Sequence, residues 1–165
     1  MDTKFKIEQS LFKKLSIATV IGLITIIFGI VFTDRIWPNI LLAAWYVTGI
    51  GFSGIMFVAI HYVSNAGWAV AIRRIPEAMF SVLGIGFILM VLVVLGAHHI
   101  YEWTHLDVVA NDPILLGKQP WLNMTSFTIR IPIYFGIWYL FGKPIINHSR
   151  KQDETGDPSH IKKAM

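Results

Sequence analysis

Between Ile36 and Ile72 the chain runs for 37 residues without an Asp, Glu, Lys or Arg. As one α-helix, at about 1.5 Å per residue, such a run would be roughly 55 Å long, against about 30 Å of bilayer hydrocarbon. It is too long for one crossing and too short for two with a turn between them. The run therefore has to break, and Asn65-Ala66-Gly67 supplies the turn signal. Upstream, Leu15 to Thr33 is a charge-free run of 19 residues, just long enough to cross once. With 55% hydrophobic and 15% charged residues and a mean hydropathy of +0.59, the chain is too apolar for an ordinary soluble domain.

These runs predict an all-α integral membrane protein, a bundle of four transmembrane helices over residues 15–146 with spans at about 15–33, 39–63, 78–101 and 122–141. Residues 1–14 are basic, and Phe5, Ile7, Leu11 and Phe12 are spaced for a short interfacial helix. Trp37, in the link after the first span, is placed as an interface anchor. Lys143-Pro144 is expected to end the fourth helix, and residues 147–165 to form a charged tail. Eleven basic residues fall on one side of this bundle: Lys4, Lys6, Lys13, Lys14, Arg73, Arg74, Lys143, Arg150, Lys151, Lys162 and Lys163. Only Arg35 and Lys118 fall on the other, so the positive-inside rule places both termini in the cytoplasm. The net charge of +4 belongs to this asymmetry, and no nucleic-acid partner is expected. There is no cysteine, which excludes disulfides, thiolate zinc sites and cysteine-held iron–sulfur clusters in this chain.

Most polar groups of the middle of the chain lie in His61 to Met79. Trp68, Ile72, Ile75 and Met79 recur at helical spacing, while Arg73, Arg74 and Glu77 supply charge, and Pro76-Glu77 reads as a helix start. The stretch reads as a segment lying at or dipping into a membrane surface, with charges held beside apolar walls. Arg73, Arg74 and Glu77 serve either as topology-setting charge and a helix cap, or as a polar entry for protons or an anchor for a quinone head group. Arg130 is the costliest residue, since an arginine at mid-bilayer costs about 2.5–3.5 kcal/mol on insertion scales. It either snorkels to the surface or meets an interior partner or ion path, and Pro132 frees a backbone carbonyl in the same turn.

Other motifs carry less. Gly49-Ile50-Gly51-Phe52-Ser53-Gly54 matches the dinucleotide fingerprint in letters only; without a preceding strand, its small residues read as a close-packing helix face. His61 and the pair His98 and His99 end their spans on opposite sides, which opposes a bis-histidine haem. Glu102-Trp103-Thr104-His105 has the Glu-x-x-His spacing of di-iron bundles, yet the first, second and fourth spans offer no further carboxylate. No metal site is expected.

The stretch His61-Tyr62-Val63-Ser64-Asn65-Ala66-Gly67-Trp68-Ala69-Val70, with Ile72 to Met79, resembles the signature of the polysulfide reductase membrane-subunit-like (NrfD-like) family. The likeness is to the second such subunit of alternative complex III, the bacterial quinol:cytochrome c oxidoreductase. Arg130 to Tyr139 is similar to the same subunit. The resemblance implies a helical-bundle subunit in the bacterial inner (cytoplasmic) membrane. Its implied partners are an iron–sulfur/molybdopterin-like subunit, c-type cytochromes and a sister quinol-binding subunit. Members of that family are longer, with a second bundle. Pro158 to Met165 reads as a helix being started with Ser159 as N-cap, so the chain is expected to carry the first bundle only.

The expectation is thus a non-catalytic subunit with a structural and proton-conducting role. His61, Arg73, Arg74, Glu77 and Arg130 are the proton-path or quinone-facing candidates. This chain itself is expected to bind no cofactor, and quinone belongs to the complex. A haem-binding cytochrome b-like carrier and a small transporter-like bundle remain the alternatives.

Overall fold

The computed structural model describes residues 8–64 and 66–155, without the side chains of Ala69, Val70 and residues 152–155. Lys4, Phe5, Lys6 and Ile7 of the expected interfacial helix, Asn65 of the expected turn and the helix start at Ser159 lie outside the described residues. All regular structure among the described residues is helical. The α-helices are α1 (Gln9–Phe32), α2 (Ile36–Val63), α3 (Arg74–Phe80), α4 (Leu83–Leu95), α5 (Ala97–Ile100), α6 (Leu106–Asn111), α7 (Pro113–Lys118) and α8 (Met124–Thr155).

Three stretches are long and apolar enough to cross a membrane: Gln9–Phe32, Ile36–Val63 and Arg74–Leu95, the last being α3 and α4 taken together. This is a multi-pass membrane protein. In α1 the hydroxyls of Ser16, Thr19 and Thr25 each donate back to the carbonyl four residues earlier, at 2.9 Å, so no polar group faces lipid unpaired. Gly29 is the one buried residue of α1, covered by Ile36 across the link. Most of the large apolar side chains of α1 are exposed, which lipid tolerates and water would not.

α2 is the centre of the packing. Its buried residues Ile40, Ala44, Thr48, Gly51, Ile55 and Val58 step by three or four, the spacing of one helix face. A Cβ on Gly51 would sit 2.9 Å from the backbone nitrogen of Leu83, and one on Gly86 would sit 2.6 Å from Thr48 Oγ1. Gly54 lies against the carbonyl of Pro76. The small residues of the Gly49–Gly54 stretch therefore let α3 and α4 approach α2 closely, as a membrane interface requires.

The third crossing differs from the expected 78–101. It begins at Arg74, because Arg74 and Glu77 are paired with each other and so enter the helix instead of staying in a loop. It is tightened at Ser81-Val82, where Ser81 N–H and Val82 N–H bond to Ala78 and Met79, three residues back. It ends at Leu95, and Gly96 separates it from α5. Pro76 falls in the first turn of α3, where a missing N–H costs no helical bond. The expected stop at Lys143-Pro144 is also corrected. α8 continues through Pro144 to Thr155, because Ile146 and Ser149 are buried against the bundle and that packing outweighs the bond lost at the proline.

α8 is long enough to cross but is not among the three most apolar stretches, since Arg130, Pro132, Tyr134 and Tyr139 dilute it. It lies on α2 and α4 through Phe52–Trp138 and Phe87–Phe135, and on α3 through Phe80–Tyr139. Ile55, Phe80, Leu83, Ile131, Phe135 and Ile146 form the core there. A second cluster of Ile40, Ala44 and Val93 lies toward the start of α2.

Candidate functional site

The 3-10 turn Gly67–Ala71 leads from α2 into α3, and this segment is inside out by the standards of a soluble protein. Trp68, Ile72 and Ile75 face outward, whereas Arg73 and Glu77 are buried at 8% and 3% exposure. Against lipid an apolar side chain loses nothing by exposure, while a charge must be drawn in and paired. The arrangement agrees with the sequence reading of charges held beside apolar walls.

Glu77 stands in the first turn of α3, where the helix dipole favours an acid. Arg74 Nη1 donates to its Oε2, and Ser149 Oγ of α8 donates to its Oε1. Arg74 Nη2 also donates to the Ser149 carbonyl at 3.4 Å. Ser149 is 1% exposed, so both carboxylate oxygens are met by protein donors inside the fold. An unpaired carboxylate here would be strongly unfavourable; a paired and hydrogen-bonded one is tolerated. The guanidinium side of the group reaches solvent or headgroups, because the Arg74 side chain is 41% exposed. The result is a polar group at the entry to the third crossing, held by two elements: the start of α3 and α8 beyond Pro144.

Sequence reasoning missed Ser149. The signal was present in Ile146 and Ser149, one turn apart and both buried, but it lay beyond a proline that reads as a stop. The sequence-predicted residues divide into three places. Arg73, Arg74 and Glu77 are together at the entry. His61, at the last turn of α2, bonds through Nδ1 to the Phe57 carbonyl at 2.6 Å and packs edge-on to Trp68. Since a carbonyl only accepts, the ring proton sits on Nδ1 and Nε2 is left for exchange. Arg130 is elsewhere, on α8, with its guanidinium 4.0 Å above the Trp121 ring. The side chain lies over an aromatic ring near the start of its helix, and Nη1 is buried.

Three more histidines, His98, His99 and His105, gather at the other end of α2, while His148 stays on α8 with its Nδ1 2.7 Å from the Pro144 carbonyl. His99 stacks on Trp37 at a ring distance of 5.5 Å and meets Asp34 Oδ1 through Nδ1 at 3.2 Å. His98 and His105 have ring centroids 4.0 Å apart, and Thr104 Oγ1 lies 3.3 Å from His98 Nδ1. His61 is 24 residues beyond Trp37 along the same helix, roughly 36 Å away. The two histidine groups are thus separated by the length of a crossing. Among the described residues no group of three or more His, Asp or Glu is disposed to hold a metal ion.

No protein-family model, curated protein or solved structure matches this chain.

Proposed function

We propose that the chain is an integral membrane subunit of a respiratory quinol:cytochrome c oxidoreductase of the alternative complex III kind, with a structural role and a proton-conducting one. In this reading α8 makes a fourth crossing from Met124, both termini are cytoplasmic, and the chain works in a bacterial inner membrane. Its partners are an iron–sulfur/molybdopterin-like subunit, c-type cytochromes and a sister subunit that binds quinol. The observation that carries the reading is the buried Glu77, held by Arg74 and Ser149, within the stretch that resembles the NrfD-like family. Glu77 takes the proton at the cytoplasmic mouth, Arg74 and Arg73 hold the local charge balance, and His61 relays through Nε2.

The test is purification in mild detergent from native membranes, with co-purifying subunits identified and a redox spectrum taken. Multihaem c-type cytochromes and an iron–sulfur subunit in the eluate support the proposal. A chain that purifies alone, without haem, removes it in favour of a transporter-like protein, and one carrying b-type haem shifts the reading to an electron carrier. On the assembled complex, Glu77→Gln is expected to lower proton translocation per electron more than quinol oxidation. Unchanged translocation would take Glu77 out of the path.

A further inference from the structure

At the end of the bundle where α8 begins, an arginine lacks any counterion. Arg130 is six residues into α8, roughly 9 Å along the helix. Its guanidinium stacks on Trp121, and Nη1 is buried without an acceptor. Among the described residues Arg130 makes no hydrogen bond or ion pair. Two of the acids at this end are engaged, Asp34 with His99 and Asp112 as the cap of α7, accepting from Ile114 and Leu115, and the other two, Glu102 and Asp107, make no ion pair with Arg130. A guanidinium keeps its charge at any working pH and presents five donors, so a stacked ring satisfies only its face. Its edge still requires an acceptor from outside the chain.

The depth of the group says which acceptor. Trp37, Tyr101, Trp103 and Trp121 all lie at this end: Trp37 stacks on His99, Tyr101 and Trp103 pack with Phe127, and Trp121 lies under Arg130. Such a belt marks the headgroup level of a bilayer. Trp121 is 62% exposed, and Lys118 stands one turn before it, its carbonyl accepting from Trp121 N–H at 2.9 Å. Next to Arg130 on α8, Ile129 and Ile133 are exposed, an apolar wall below the charge. Two cations and an indole at headgroup depth, above exposed isoleucines, fit a phosphodiester with acyl chains attached. A free anion would leave the isoleucines unused.

We infer that Arg130, with Trp121 and Lys118, binds the phosphate of one anionic phospholipid at the surface where α8 begins. Nε and Nη2, which unlike Nη1 are not buried, take two phosphate oxygens, Lys118 adds a point charge, and Trp121 fixes the plane of the guanidinium.

The test uses the chain as purified from its membrane, with whatever subunits accompany it. It is reconstituted in bilayers of phosphatidylcholine alone or with a minor share of phosphatidylglycerol. After detergent exchange, native mass spectrometry counts the lipids retained. The wild type is expected to keep one phosphatidylglycerol in preference to phosphatidylcholine and to lose that preference at high salt. Arg130→Gln is expected to keep about fivefold less of it, as one basic residue at a membrane surface contributes. Arg130→Lys should fall between, and Arg35→Gln, an exposed charge at the same end, should change little. Equal retention of both lipids by the wild type, or equal retention by wild type and Arg130→Gln, overturns the inference. Displacement of phosphatidylglycerol by inorganic phosphate overturns it in favour of a free-anion site. Should Arg130→Gln fail to fold, the lipid preference of the wild type and its salt dependence decide the matter.

Discussion

Gly54→Ala adds one methyl group where the backbone of α3 lies against α2. The new Cβ would lie 2.9 Å from Met79 Cβ and 3.2 Å from the Phe80 nitrogen, with the Pro76 carbonyl oxygen nearer still. Two of these three atoms are backbone, so no rotamer change relieves the clash. α3 must move away from α2 by several tenths of an ångström, and Glu77, one residue after Pro76, moves with it. Overpacking of this sort costs about 1–3 kcal/mol. Gly49→Ala is the control: it lies on the same helix five residues earlier, and nothing stands within 4 Å of its Cβ. There alanine is neutral or stabilising, by up to about 1 kcal/mol through helix propensity. The assay is unfolding in mixed micelles with a rising share of denaturing detergent, followed by tryptophan fluorescence and helical circular dichroism. Gly54→Ala should unfold at a lower detergent fraction and Gly49→Ala at the wild-type fraction or above. If the two variants unfold together, the packing of α2 on α3 argued from Gly54 is wrong.

Ser149→Ala removes the hydroxyl that donates to Glu77 Oε1 and should cost about 1–3 kcal/mol by leaving a buried carboxylate oxygen unmet. The same unfolding assay checks it, and combination with Glu77→Gln should cost less than the two changes added, because they share one bond. Phe80→Ala empties a core position between Ile55, Tyr139 and Gly142 and should cost about 3–5 kcal/mol, with helix content otherwise retained below the transition. The chain has no cysteine, so single replacements report topology cleanly: Lys118→Cys and Lys151→Cys should react with a membrane-impermeant maleimide from opposite sides of sealed vesicles. Labelling of both from one side would remove the fourth crossing from the proposed topology.

What was legible in the sequence was what lipid dictates directly. The charge-free run from Leu15 to Thr33 became the body of α1, and the second span ends at Val63 in the structure as in the pattern. The close-packing reading of Gly51 and Gly54 holds at the atomic level, where each faces a backbone. Less legible was whatever tertiary contact decides. Arg74 reads as a loop charge until its partners Glu77 and Ser149 are known, so the start of the third crossing was set four residues late. Pro144 reads as a stop because a local rule cannot see Ile146 and Ser149 docking on the far side of it. Arg130 had two readings at equal footing, and its stacking on Trp121, nine residues away in sequence, was written in no local pattern.

These contacts also set an order of assembly. The segment from Gly67 to Phe80 exposes Trp68, Ile72 and Ile75 and buries Arg73 and Glu77, so it is matched to lipid outside and to polar partners inside. One of those partners, Ser149, lies more than seventy residues later, beyond the whole of α4 and the short helices after it. Before α8 is in place, Glu77 Oε1 has no hydroxyl donor and its site is open to water. After α8 is in place, the carboxylate is covered and its donors are fixed. Docking of the last helix therefore supplies the Ser149 donor and covers Glu77. The outer face of α2 has no such closure: an open apolar groove of about 450 Å³ follows it from Leu42 to Ser53, over Gly49. One helix thus presents a tight glycine face, which sets the position of α3, and an open one, which carries the groove. A substitution on the first face should disturb the Glu77 group, and one on the second should leave it intact.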